Sequence, residues 1–152
     1  MNYSNTRSAA SHYKQVSLQS EVAHASPHRL IQMLMEGALQ KIAMAKMFME
    51  NGQVAEKGTH IGWAISIIDG LRLSLDKEAG GEIAANLDNL YDYMERQLVK
   101  ANIDNQVDLL DEVSGLLLQI KSAWDGLPEE YKNSNANAGE KQAEQQVLAN
   151  AD

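Results

Sequence analysis

A chain of 152 residues, 44% hydrophobic but only 5% aromatic, can bury one sizeable core, which Leu, Ile, Ala and Met have to fill. It has no cysteine, so no disulfide or thiol chemistry, and its net charge of −8 with no Lys/Arg cluster removes the basic footprint that nucleic acid requires. Apolar runs of only a few residues exclude a membrane-spanning helix, and no basic start with an apolar block marks a secretory leader, so a soluble cytoplasmic protein is the default expectation.

Residues 1 to about 20 are polar, with sparse apolar anchors at Tyr13, Val16 and Leu18. Two readings stay open: a frayed terminus, or a short arm that docks Tyr13 and Val16 on the rest of the protein. Ser26-Pro27 then opens a helix. Ser26 can cap orphan amides, and Pro27 suits the first helical position, where no donor is lost. Apolar residues between Pro27 and Glu50 follow helical spacing but make two faces. Ile31, Leu34, Met35, Ala38, Ile42, Ala45 and Met49 form one; Leu30, Met33, Gly37, Met44 and Phe48 form a second about a third of a turn away. A core needs only one of them.

Asn51-Gly52 ends that helix. A second helix is predicted over about 54–75, with Ile61, Ala64, Ile65, Ile68, Leu71 and Leu75 as its buried face. Gly58, Gly62, Ser66 and Gly70 repeat every fourth residue along another wall, beside Leu73. Each interior Gly costs about 0.5–1 kcal/mol relative to Ala, so its use asks for a close approach by another backbone. That backbone is either a neighbouring helix of the same bundle or a partner's helix in a shallow groove.

Gly80-Gly81 breaks the chain, and a third helix follows over about 82–101. Ile83, Leu87, Leu90, Tyr91, Met94, Leu98 and Ala101 form its seam, and Asn102 is its expected left-handed cap. Asp104 begins a fourth helix, with Leu110, Val113, Leu117, Ile120 and Trp124 buried, ending at Gly126-Leu127-Pro128. Four amphipathic helices joined by short connections predict an all-α, antiparallel, up-down-up-down four-helix bundle over 26–127. Residues 1–25 are then an N-terminal arm. Residues 128–152, rich in Asn, Ala, Gln and Glu, carry too little apolar surface to order themselves, so a disordered tail is expected. A transient helix around Glu144–Ala149 fits its composition.

No catalytic, cofactor or metal constellation emerges. A di-metal bundle site needs two Glu-x-x-His motifs and two further Glu in the core; only Glu21-Val22-Ala23-His24 has the spacing, and the buried seams hold no carboxylate. His24 and His28 are separated by the Ser26-Pro27 break and read as surface imidazoles, and His12 and His60 are isolated. No nucleophile turn or phosphate loop is present. The anomaly is methionine: Met33, Met35, Met44, Met47 and Met49 all lie in the first helix. Unbranched, polarizable side chains either fill core gaps or grip varied partners. Met33, Met44 and Met47 lie off the core face, which favours the second use.

The run Ala25-Ser26-Pro27-His28-Arg29-Leu30-Ile31, then Met33-Leu34 and Glu36-Gly37-Ala38, resembles the signature of the flagellin-specific export chaperones, the FliS family. So do Ser74-Leu75-Asp76, Gly80-Gly81-Glu82-Ile83-Ala84, Leu90-Tyr91-Asp92-Tyr93-Met94, Ala101-Asn102 and Trp124, with Tyr13-x-Gln15-Val16 upstream. The likeness covers about residues 10–126. Met35 departs from it, since many members carry an aromatic there. The resemblance implies a cytoplasmic helical bundle, not an enzyme, that binds the C-terminal region of flagellin. It would prevent premature polymerisation and assist delivery to the flagellar type III secretion apparatus. It also implies contacts with an export gate component, an anti-sigma factor or a flagellin-binding antagonist, and an arm that covers part of the client surface. The client-binding residues expected here are Tyr13, Val16, Leu30, Met33, Met44, Met47, Phe48, Gly62, Ser66 and Leu73. The competing reading is a self-associating helical-bundle regulator or adaptor.

Overall fold

The computed structural model describes residues 3–132, which form five long helices and a final single turn: α1 (Tyr3–His24), α2 (Pro27–Glu50), α3 (Val54–Leu73), α4 (Lys77–Asp104), α5 (Val107–Asp125) and α6 (Glu129–Lys132). The described residues contain no strand. One helix more than expected is present, because the stretch read as an arm is itself helical. No Gly or Pro interrupts residues 3–24, and α1 stops only where Pro27 disfavours helix in the residue before it. The expected tail begins with the α6 turn; its remainder, 133–152, lies outside the described residues.

Local chemistry sets the other ends, and α4 begins at Lys77, five residues before the expected start near Glu82. The Ser26 side chain accepts from the Arg29 amide at 3.1 Å, with Pro27 in the first turn of α2. Asn51 caps the other end, and Gly52 takes a left-handed φ of 71°. Asp76 caps α4 by accepting from the amides of Glu78 and Ala79. The α4 helix is kinked at Gly81 (φ 51°, ψ −126°), the break expected at Gly80-Gly81. The kink turns Ile83, expected in the seam, out to 73% exposure. The left-handed cap of α4 is Asn105 (φ 53°), three residues beyond the expected Asn102, and α5 starts correspondingly late at Val107.

The core lies among α2, α3, α4 and α5. Met35, Ala38, Ile42 and Ala45 of α2 meet Ile61, Ala64, Ile68 and Leu71 of α3, Tyr91, Met94, Leu98 and Ala101 of α4, and Leu110, Val113 and Leu117 of α5. The α2 helix packs on α3 and α5, and α4 packs on the same two.

Polar clasps hold both ends, and composition did not reveal them. His28 is buried, not a surface imidazole, and its ring stacks on Trp124 with centroids 4.9 Å apart and planes within 8°. His28 Nε2 donates to the Trp124 carbonyl at 2.8 Å, and Trp124 Nε1 donates back to the His28 carbonyl at 3.0 Å. The start of α2 is thereby fixed to the end of α5. At the opposite end Lys57 of α3 is 4% exposed, yet its Nζ donates to the Asn102 carbonyl (2.9 Å) and to Asn105 Oδ1 (2.5 Å). A cation placed on the last carbonyls of α4 also suits that helix's negative end. Lys57→Met keeps the stem and removes both bonds, leaving two acceptors unpaired. It should cost about 1.5–3 kcal/mol of stability, read as a lower urea midpoint with an unchanged slope.

Candidate protein-binding surface

The second rib of α2 runs along the flank it shares with α3. Leu30, Met33, Met44 and Phe48 are each half-buried, and Met47 is 47% exposed. The rib is neither consumed by the core nor free of it. Ile67 of α3 reaches it at Gly37, where an added Cβ would lie 3.6 Å from Ile67 Cδ1. Farther along, Phe48 meets His60 with ring centroids 4.9 Å apart, and His60 meets Trp63 edge-on at the same distance. His60 is buried, and its Nδ1 donates to the Glu56 carbonyl at 2.8 Å. Lys41 places its ammonium 4.5 Å over the half-exposed Trp63 ring. Trp63, Ile67 and His60 therefore belong to this flank, although the sequence reading passed over them. The signal available was their spacing on the side of α3 next to its core face.

The glycine wall of α3 is open. An added Cβ at Gly62 or Gly70 would meet nothing within 4 Å, and only Gly58 faces another helix, through the Asn102 side chain at 3.8 Å. Packing within the bundle does not account for Gly62 and Ser66, which are both exposed. Leu73, at the end of the same outward stripe, is 81% exposed. Tyr13 and Val16 are not brought to the rib. Tyr13 is 75% exposed, and Val16, Leu18 and Val22 also point into solvent. Of the two readings of this stretch, docking of these side chains on the bundle is not what the structure shows: α1 has too few apolar residues on any side to hold itself down. Its root is tied by Arg29, which donates to Glu21 Oε1 through Nε (3.2 Å) and Nη2 (2.9 Å) and to Glu36 through Nη1 (3.0 Å).

Beside Leu73, Arg72 joins α3 to α4. Its guanidinium bonds Asp88 (3.0 Å), Glu95 Oε2 (2.8 Å) and, at 3.4 Å, Asp92, while Lys77 adds a contact to Asp88 at 3.3 Å. Hydrogen bonding from Arg72 holds the Asp88 carboxyl below its ordinary value. Burial pushes Glu95 the other way, against the pull of Arg72, and its buried Oε1 has no hydrogen-bond partner. The described residues present no group of three His, Asp or Glu placed to hold a metal, and none of their helices is long and apolar enough to cross a membrane. The arrangement offers an apolar, adaptable flank with a charged border.

Comparison with known proteins fixes the lineage. The family model described as flagellar protein FliS matches residues 9–131. The chain belongs to the FliS family. It is 56% identical over 119 residues to the flagellar secretion chaperone FliSB of Pseudomonas aeruginosa, covering 78% of this chain and 94% of that one. The flagellar secretion chaperone FliS of Salmonella typhimurium is 50% identical over 120 residues, with 78% and 89% covered. That of Vibrio cholerae is 46% identical over 124 residues, with 82% and 91% covered. The four helices that build the core, and the α2/α3 flank, all fall within the matched span.

Two measurements check these assignments. Gly62→Ala meets open space, so it should raise stability by about 0.5–1 kcal/mol through helix propensity alone; a loss in urea melts would mean that a neighbour occupies the site. Glu95 carries a raised pKa in the fold, so protonating it favours folding as pH falls toward its ordinary value of 4.5. The stability gap between the wild type and Glu95→Gln should therefore shift toward the wild type over that interval. Asp88, held low, acts oppositely: its contribution is present above 3.8 and lost as pH falls below it. A flat gap for Glu95→Gln across the interval would contradict the burial effect.

Proposed function

We propose that this chain is a cytoplasmic flagellin export chaperone, in which α2–α5 act as an antiparallel up-down four-helix bundle and the α2/α3 flank seats the client. The client is the C-terminal region of flagellin, kept from premature polymerisation and passed to the flagellar type III secretion apparatus. The observation that carries the reading is a closed core beside a half-buried rib of Leu30, Met33, Met44 and Phe48. Methionine's flexible thioether stem lets such a rib accept side chains of varied shape. The open Gly62–Ser66 stripe lets a guest backbone approach, and Leu73 and Met47 extend the apolar area. Helix-in-groove recognition needs this combination of anchors and depth. In this reading Tyr13 and Val16, exposed on α1, close over the client once it is bound.

The mechanism is binding without turnover. An apolar seam that would otherwise join one flagellin to another is covered here. Burying about 1,000–3,000 Å² of a chain that folds on binding offsets an ordering cost of about 2–5 kcal/mol or more. Contacts with an export gate component, an anti-sigma factor or a flagellin-binding antagonist belong to the same proposal through the family resemblance. The regulator reading has no comparable support among the relatives.

Met33→Glu and Met44→Glu place a charge on the rib without entering the core. Each should weaken binding of a flagellin C-terminal peptide about tenfold or more, as desolvated anchor positions do, with the helical circular dichroism intact. Calorimetry on the two variants decides it; unaltered affinity in both removes the rib as the seat.

A further inference from the structure

The cations of α2 and α3 are engaged by oxygen atoms of the described residues, with one exception. Arg29 and Lys46 meet carboxylates, Arg72 meets three of them, and Lys57 is spent on the end of α4. Lys41 pairs with no carboxylate among the described residues, and its ammonium lies instead 4.5 Å over the Trp63 ring. We propose that Lys41 and Trp63 form a recognition subsite for one acidic side chain and a large apolar neighbour on the client's helix. This rests on the reading of the α2/α3 flank as the client seat.

The first observation behind it is that the ring is held ready. Trp63 stands edge-on to His60, which packs on Phe48 of the rib and is itself fixed by its bond to the Glu56 carbonyl. Three rings in contact, the middle one buried and the outer one half-exposed, make a firm platform continuous with the rib. Next to it Gly62 faces open space, so a guest backbone can settle beside the indole. A Trp presented on a rigid support is the kind of residue that dominates binding at protein interfaces.

The second observation is charge. A cation over an exposed ring is a weak contact, whereas its hydrogen bond to a carboxylate is charge-assisted and stronger. A client carboxylate therefore draws the ammonium off the ring and leaves that face free for the neighbouring apolar side chain. Residues three or four apart share a helix face, so a helix with Asp or Glu at that distance from Leu, Ile or Phe fits both halves of the subsite. One unpaired cation in a chain of net charge −8 is no seat for nucleic acid or an anionic membrane, which call for clusters of them. Without client, the same ammonium keeps the ring covered.

Calorimetry on the full chain with a flagellin C-terminal peptide tests this. Lys41→Met keeps the stem and should weaken the peptide about 3–10-fold, as loss of a close charge pair at an interface does. Lys41→Arg keeps the cation and its stacking on the ring, and should bind within about twofold of the wild type. On a peptide whose Asp and Glu are replaced by Asn and Gln, the wild type and Lys41→Met should bind alike, because the two changes remove one and the same interaction. Trp63→Ala should weaken either peptide about tenfold or more, with the helical circular dichroism intact. Equal affinity of the wild type and Lys41→Met for the acidic peptide overturns the proposal. So does a loss that persists undiminished on the neutral peptide, which would make Lys41 a packing residue only. Met33→Glu weakening the peptide while Lys41→Met is silent keeps the rib and removes the subsite. Lys41→Met weakening it while Met33→Glu and Met44→Glu are silent keeps the subsite and removes the rib, so the two readings fail separately.

Discussion

Alanine on the buried faces of α2, α3 and α4 lets the helices of this protein come close together. Ala38, Ala45, Ala64, Ala84 and Ala101 are all fully buried, spread over α2, α3 and α4. Interaxial distance follows the size of the side chains at the contact, about 8–10 Å in general. Small residues there make a narrow interior, which Met35, Ile42, Ile61, Ile68, Leu71, Met94, Leu98, Leu110 and Leu117 complete. A packed interior does not accept further methylenes without strain. The second rib of α2 lies beside that packed interior and is only half-buried. Its surplus of apolar surface follows from core geometry.

A narrow bundle also needs its register fixed, and polar bonds do this at the ends. His28 and Trp124 exchange bonds across 96 residues of chain, and Lys57 reaches Asn102 and Asn105 across about half that separation. Each clasp engages carbonyls near a helix C-terminus, which the helix cannot satisfy itself. With both ends held, the packing of the core does not depend on what covers the α2/α3 flank. The methionines then matter for their pliancy, because the rigid part of the molecule lies behind them.

Periodicity and punctuation made much of this fold legible. The limits of α2, the break at Gly80-Gly81, and the seams through Met35, Ile61, Met94 and Leu117 could be read from spacing alone, because burial on one side leaves a pattern. The α1 helix leaves no such pattern, since none of its sides is covered; a helix without a core face looks like a loop to any argument from amphipathicity. The burial of His28, His60 and Lys57 was hidden for a different reason. A single polar residue shows its depth only through partners, and two of the three find them on distant helices. Ile83 misled because its spacing fits the seam while the backbone turns at Gly81. The rib was legible as a second apolar face, but its neighbours Trp63 and Ile67 depend on how α3 is rotated against α2, which spacing in one helix does not fix.

Half-burial is the property that reconciles a binding flank with a well-behaved free protein. A contiguous apolar patch in full contact with water is an aggregation hazard. On this flank His60 and Phe48 cover part of each other, Ile67 lies against Gly37, and Lys41 lays charge over the Trp63 ring. The net charge of −8 adds a general repulsion between copies. What stays uncovered, Met47, Trp63 and Leu73 among it, lies in separate strips along α2 and α3. A partner able to lie along the whole length collects every strip at once, whereas a rigid globular surface reaches only some. Under the proposed function, the flank would discriminate by the shape and continuity of its guest, which is what an unfolded client offers and a folded neighbour does not.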